Sequence, residues 1–339
     1  VVTFIREFRQ GRRAGFSTGG VLYRDTDGKV GSTGDAKAFH DLDSLPIPDF
    51  TDYFAQMETL GLTHVQPYMP IETSRGCWWG EKHHCTFCGI DDTIMKYRSK
   101  SSSRALNEIL TLSAKHQYTE FFAVDSIINF KFFDELLPTL GQLRRDKLWD
   151  LTFFFESKSN ISRDQVRRFR YGGVNNVQPG LESFSDHVLE LMNKGTTGVR
   201  QIQCLRLLEE QNIVPDWNLI FGNPGETPDD YQEIIDIIPF MHHLRPLHTG
   251  GLTPMQINRF APYHNEPEKY KVRNIRPKSY YRMIYPDAAI DIDRLAFYFD
   301  CEFDEMNDSA LTRRYAVLKT AIDNWRECYQ PDSLLQFQG

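Results

Sequence analysis

The sequence predicts an α/β fold, a partial (β/α)6 barrel with a further piece of chain ahead of it. Three observations carry this. From residue 68 onward, apolar strand-like runs alternate with amphipathic helical stretches. Six such runs occur, near 69–74, 119–124, 150–156, 174–180, 214–221 and 252–258. Residues with chemical character follow most of them. Strands separated by helices imply a parallel sheet with right-handed crossovers. A flat, doubly wound sheet meets the same count. In either architecture ligands gather at the C-terminal ends of the strands.

Residues 1–40 read as the end of another domain. Val1 to Phe8 mixes apolar and charged residues at helical spacing, and residues 21–30 form a short hairpin turning at Asp27-Gly28. Residues 41–67 are a linker, rich in Pro and Asp over 41–54. Residues 68–260 hold the strand–helix core. Its helices are expected near 102–116, 131–145, 163–170, 186–211 and 228–243, with Ser162, Ser185 and Thr227 as N-caps. Gln165, three residues after Ser162, completes a capping box. Residues 261–339 are expected to be a helical region on the substrate side. The chain opens Val1-Val2-Thr3 and runs out through Leu334-Leu335-Gln336-Phe337, which reads as a fragment cut at one or both ends.

The chain has 339 residues, 40% of them hydrophobic and 25% charged, ordinary for a globular protein. Its net charge is −7 and no basic stripe stands out, which argues against a nucleic-acid partner. No apolar run approaches a membrane span and no signal peptide is visible. The expected setting is the cytoplasm, with no membrane partner.

Six cysteines occur, and Cys77, Cys85 and Cys88 crowd into one segment, RGCWWGEKHHCTFCG (75–89). A tight cluster in a long chain reads as metal binding. Thiolates suit iron and zinc. Three of them can hold three corners of a [4Fe–4S] cube. With His83 or His84 the same segment supplies a Cys3His zinc set. The spacing alone leaves both readings open. Cys204, Cys301 and Cys328 are scattered and show no second cluster.

The string IETSRGCWWGEKHHCTFCGI (71–90) resembles the widened cysteine motif of the cobalamin-dependent radical S-adenosylmethionine (SAM) C-methyltransferases that mature ribosomal peptides. The superfamily's usual motif has fewer residues between its first two cysteines. VNNVQPGLESFSDHVLELMNKGTT (174–197) resembles the superfamily's fourth-strand segment, and WNLIFGNPGET (217–227) its fifth. SLPIPDF (44–50) resembles the join to a cobalamin domain, and RFAPYHNEP (259–267) the stretch closing the core.

The resemblance implies a radical SAM core preceded by a remnant of a cobalamin-binding domain. It implies a [4Fe–4S] cluster on Cys77, Cys85 and Cys88, with SAM on the open iron. Phe87 would pack by the adenine. Asp125 and Ser126 would meet the SAM amino group, although the usual Gly-Gly-Glu is absent there. Glu156 and Glu182 would face SAM, and Lys194 would pair with its carboxylate. Asn218 would reach the ribose from the fifth strand. Gly222 and Gly225 supply a tight turn near a ligand. Cobalamin is implied too, with its site mostly outside this chain, the nucleotide-binding part being expected ahead of residue 1; the common signature Asp-x-His-x-x-Gly does not occur, and many relatives lack that His. The expected partners are a precursor peptide and an electron donor such as flavodoxin or ferredoxin. The alternatives are another radical SAM reaction (methylthiotransferase, cyclase or epimerase) and a zinc-stapled binding module without enzymatic activity.

Overall fold

The structure is a computed structural model and describes residues 2–62 and 64–331. Residues 1, 63 and 332–339, on which the outer domain limits and part of the expected linker fall, lie outside the described residues. The chain divides into two compact units, Val1–Leu42 and Asp43–Gly339. In the first, helix α1 (Val2–Arg9) precedes a hairpin of β1 (Leu22–Arg24) and β2 (Val30–Ser32), paired antiparallel with Leu22 opposite Ser32. The Asp25 carboxylate accepts the N–H groups of Asp27 and Lys29, and Gly28 takes a φ of +77°, as the Asp-Gly turn requires. Phe16 sits between Phe4 and Tyr23, with ring centroids 4.8 and 5.9 Å away.

The second unit opens with a segment that packs onto its core rather than standing free. Ile47 and Phe50 lie against the core, and Lys115 reaches Asp49 at 2.7 Å. A five-stranded parallel sheet follows. It runs through β3 (Met69–Ile71), β4 (Glu120–Ala123), β5 (Thr152–Lys158), β6 (Val174–Gly180) and β7 (Val214–Pro215). Helices α2 (Ser102–His116), α3 (Leu136–Arg145), α4 (Arg163–Gly172), and α5 (Asp186–Leu191) with α6 (Gly198–Glu210) fill the four gaps. Next come β8 (Leu219–Phe221), α7 (Pro228–Ile237) and β9 (Leu252–Pro254), with β8 and β9 paired parallel. A parallel bridge from Glu182 to Leu219 carries the series from the end of β6 to β8.

Spatial order follows chain order without reversal. A doubly wound sheet reverses at a switch point, so this is the partial barrel. Alternation along the strands fixes its faces. Phe121, Ala123, Phe153 and Phe155 are buried in the core with residues of α2, α3, α4, α6 and α7. Phe122 and Val124 point the other way and stay exposed. Ser162 forms the expected capping box, accepting from the Gln165 N–H at 3.2 Å while its own N–H binds Gln165 Oε1 at 2.8 Å.

Several elements depart from expectation. The run 214–221 breaks into β7 and β8 because Trp217 leaves the sheet for the core, within 5.5 Å of Phe184 and 5.7 Å of Trp325. The helix expected over 186–211 breaks where Asn193 and Gly195 take φ of +53° and +60°. The helix over 131–145 is interrupted at Glu135, and the one over 228–243 tightens into a 3-10 turn, Ile238–Met241. The run 252–258 divides between two sheets. Residues beyond 261 carry strands as well as helix. There β10 (Ile257–Asn258), β11 (Arg273–Pro277) and β12 (Tyr298–Glu302) form an antiparallel sheet with β12 central. Helix α8 (Ser309–Cys328) returns to the main core through Leu311, Leu318, Ile322 and Trp325. Among the described residues no helix is long and apolar enough to cross a membrane.

Candidate active site

The cysteine segment begins where β3 ends, and Asp125 just past β4 secures its approach. The Asp125 carboxylate accepts the N–H groups of Thr73 at 2.7 Å and Ser74 at 2.9 Å, together with the Thr73 hydroxyl. Burial pushes its carboxyl up to about 6. Asp125 is therefore occupied by the backbone leading to Cys77, and Ser126 beside it is exposed. Of the pair expected at the SAM amino group, Asp125 thus has partners within the chain and Ser126 is open to solvent.

Gly76 turns the chain with φ of +78°, and a Cβ there would meet the Met95 carbonyl oxygen at 2.4 Å. The Cys77 N–H binds that same oxygen at 3.0 Å. The added length between the first two cysteines folds into a helical turn, Gly80–His83. It places Trp79 against residues 193–195. The Trp79 indole N–H donates to the Asn193 carbonyl at 3.3 Å, and Asn193 Nδ2 donates back to the His83 carbonyl. Gly195 is tight, since a Cβ would stand 2.2 Å from the Trp79 ring. His83 stacks on Trp79 at 4.2 Å, and His84 Nε2 lies 2.9 Å from the Cys88 carbonyl oxygen. Both histidines are thus engaged within the loop. Among the described residues no group of three or more His, Cys, Asp or Glu side chains closes around a single ion.

Two ammonium groups stand by the thiols. Lys194 is buried, with Nζ 3.2 Å from Glu182 Oε1 and 5.9 Å from the Phe87 ring centroid. Burial opposes its charge, but Glu182, Cys85 and Cys77 outweigh it and hold the ammonium above the usual lysine range. Lys158 lies 3.1 Å over the Trp79 ring and donates to the Lys194 carbonyl at 2.6 Å. Burial, then Lys194, brings it down to about 8. Burial raises the thiols of Cys85 and Cys88, the latter to about 11, and Lys194 pulls both down. Iron would reverse the balance, because a coordinated thiol is deprotonated outright. Three soft donors on one loop, with cations behind them, fit a cluster.

Glu182 takes φ of +65°, unusual for a residue with a side chain. The bridge to β8 holds it there, with the Ile220 N–H on its carbonyl at 2.9 Å. Strain of this kind collects at functional sites. Gly180 allows the approach, since a Cβ there would stand 2.8 Å from Lys194 Nζ. Glu156, on β5, is raised to about 7 by burial, then by Glu182 and Asp125. The folded chain therefore holds a proton on Glu156 that the unfolded chain releases above about 4.5. Stability contributed by this proton is lost as pH rises from 4.5 to 7. Glu156→Gln is expected to flatten that slope in the metal-free chain and to raise stability at pH 8 by about 2–3 kcal/mol in urea unfolding. An unchanged slope would show that Glu156 is solvated.

Gly222 and Gly225 take φ of +84° and +93°, as the turn after β8 requires. Its hub is Glu226, which binds the Gly222 N–H and Asn223 Nδ2, both at 2.7 Å, and the Tyr231 and Tyr315 hydroxyls. Asn218 falls in the break before β8 rather than on a strand. The Phe87 carbonyl accepts from Asn258 Nδ2 at 3.3 Å. Asn193 and Asn258 carry no signal of their own in the sequence, and Trp79 and Lys158 none of the contact that they make with each other. The two-residue step from Glu156 to Lys158 puts both on one strand face.

Residues 71–238 match the family model of the Radical SAM superfamily. An uncharacterized methyltransferase of Pyrococcus horikoshii is 24% identical over 64% of this chain and 45% of its own length. An anaerobic magnesium-protoporphyrin IX monomethyl ester cyclase of Rubrivivax gelatinosus is 26% identical over 63% and 38%. The chain thus spans less than half the length of these curated relatives. Among solved structures, the cobalamin-dependent S-adenosylmethionine radical enzyme OxsB with aqua-cobalamin aligns at a TM-score of 0.66 and 17% identity, over 93% of this chain and 48% of OxsB. The radical S-adenosylmethionine methyltransferase TsrM of Kitasatospora setae, with cobalamin and a [4Fe–4S] cluster bound, aligns at 0.62 and 16%, over 94% and 66%. At these identities the two structures share its fold.

Proposed function

Because the chain belongs to the radical SAM superfamily, we propose that Cys77, Cys85 and Cys88 hold a [4Fe–4S] cluster in a C-methyltransferase that uses cobalamin on a ribosomally synthesised peptide. The observation that carries the reading is the gathering of these three thiols with Lys158, Lys194 and Glu182 at the C-terminal ends of β3, β5 and β6. When bound, the cluster and SAM supply a one-electron cleavage that yields a 5′-deoxyadenosyl radical. The protein's part is to bind, orient and exclude water. Lys194 holds the SAM carboxylate, Glu182 and Glu156 face its amino group, and Phe87 flanks the adenine. Asn218 approaches the ribose. Gly222 and Gly225 keep the backbone close to the ligand.

Methyl transfer draws support from the relative named as a methyltransferase, and cobalamin from the two solved structures that bind it. The peptide substrate rests on the resemblance of the cysteine segment. An electron donor such as flavodoxin or ferredoxin completes the system in a reducing cytoplasm. The cyclase match favours a second reading, another radical SAM reaction on a different substrate. The test is anaerobic reconstitution with iron and sulfide, metal analysis, and assay of reductant-dependent 5′-deoxyadenosine. About four iron and four sulfide per chain with deoxyadenosine formed is the expected result. One zinc without sulfide or deoxyadenosine would overturn the reading. Transfer of labelled methyl from SAM to a peptide, with cobalamin present, separates methylation from the second reading.

A further inference from the structure

A cavity of about 530 Å³ opens at the ends of β8 and β9, within the size range of ligand sites. Its walls include Phe221, Met255, Ile257, Phe299, Phe303 and Tyr315. Phe221 and Pro254, the paired last residues of the two parallel strands, place it at the edge where α/β sheets take ligands. Its position beside the cysteine loop follows from β10. Ile257 and Asn258 are consecutive on that strand and point to opposite faces. Ile257 lines the cavity, while Asn258 donates to the Phe87 carbonyl next to Cys88. The turn after β8 is joined to the same wall, for Gly222 lines the cavity, and its N–H and the Tyr315 hydroxyl share Glu226 Oε2 at 2.7 and 3.1 Å.

We propose that this cavity binds a short apolar stretch of the peptide substrate, beside the cluster loop. The inference rests on the peptide reading above and names the part of the substrate that this chain grips. The rim excludes anionic ligands. Among the described residues lining it, Lys278 is the cation, and it is already paired with Asp300 at 2.7 Å, with Glu305 adding a second carboxylate. A phosphate or a free carboxylate therefore finds no spare cation. Aromatic and Met side chains form the floor, and Met adapts to side chains of differing shape. The Thr253 hydroxyl and the Glu305 carboxylate line the same cavity and supply acceptors for peptide N–H groups.

Cys301 in the wall is half-buried and reports occupancy, while Cys328 is exposed and serves as the internal control. The cluster-loaded chain is treated with N-ethylmaleimide, and labelling at each cysteine is followed by peptide mapping. The probes are a blocked apolar tripeptide, acetyl-Ile-Val-Ile-amide, and a blocked polar one, acetyl-Ser-Asn-Ser-amide. With the apolar probe at about ten times its dissociation constant, Cys301 labelling is expected to slow about tenfold by mass action. Cys328 labelling should not change, and the polar probe should protect neither. Equal protection by both probes, or by neither, overturns the proposal. Deoxyadenosine formation is measured on the same sample. If it persists while Cys301 stays unprotected, the pocket proposal fails and the radical SAM reading stands. If it is absent while the apolar probe still protects Cys301, the pocket stands and the radical SAM reading fails.

Discussion

Replacing Cys85 by alanine is expected to lower reductant-dependent 5′-deoxyadenosine formation by at least about a hundredfold, beyond the loss that a supporting residue around a metal site causes. The variant should also lose most of its iron and sulfide on reconstitution. Cys85 is the strongest single choice among the three cysteines. Its thiol is within electrostatic range of Cys77, of both ammonium groups and of Glu182. Removing it leaves a loop with two corners for a cube that needs three, and leaves Lys194 with only Glu182 and Cys77 to support its charge. The fold should survive, because the Cys85 side chain is outside both hydrophobic cores and the loop is tied down elsewhere, by Thr86 to the Leu191 and Met192 carbonyls and by Trp79 to Asn193. Cys328→Ala, at an exposed position, should keep full iron and full cleavage. Retention of cleavage by Cys85→Ala, with unchanged iron, would remove the cluster assignment.

What was legible in the sequence is what local rules write. The apolar run Phe153-Phe154-Phe155 of β5, the capping box at Ser162 and the glycines of the 222–225 turn each follow from neighbours a few residues apart. What was illegible depends on partners far off in the chain. Trp217 stands between Asp216 and Asn218 in a stretch that reads as one strand, and no neighbour says that it leaves the sheet to meet Phe184 and Trp325, far off in the chain. Asp125 stands at the predicted strand end, but its carboxylate is taken by Thr73 and Ser74, 52 and 51 residues earlier. The four-residue turn at Gly80–His83 gives the long cysteine spacing a physical use. It carries Trp79 to the break in the expected 186–211 helix, and that break in turn is where Asn193, Lys194 and Gly195 are needed. Two apparent irregularities of the sequence are thus one contact.

Lys194→Met is the variant whose consequences reach furthest beyond the loop. The ammonium is 8% exposed and its partner Glu182 is 16% exposed, so the pair lies largely out of water. Breaking a buried pair by removing one member leaves an uncompensated charge and costs about 3–5 kcal/mol, more than the pair itself contributes against an apolar replacement. Lys194→Met should therefore lower urea stability by about that amount. Pairing it with Glu182→Gln removes both charges and should restore most of the loss, because the amide needs no counter-ion. Function should not follow stability. The double variant is expected to fold well yet bind SAM poorly, having lost both the cation for the carboxylate and the anion facing the amino group. Lys158 will not substitute for Lys194, because its Nζ is already held by the Lys194 carbonyl and the Trp79 ring, contacts that the Met side chain leaves in place. A single variant within about 1 kcal/mol of the parent would mean a solvated pair. A double variant that recovers SAM binding along with stability would make the pair a structural strut, and the SAM site would then have to be sought at Glu156 and the Gly222 turn.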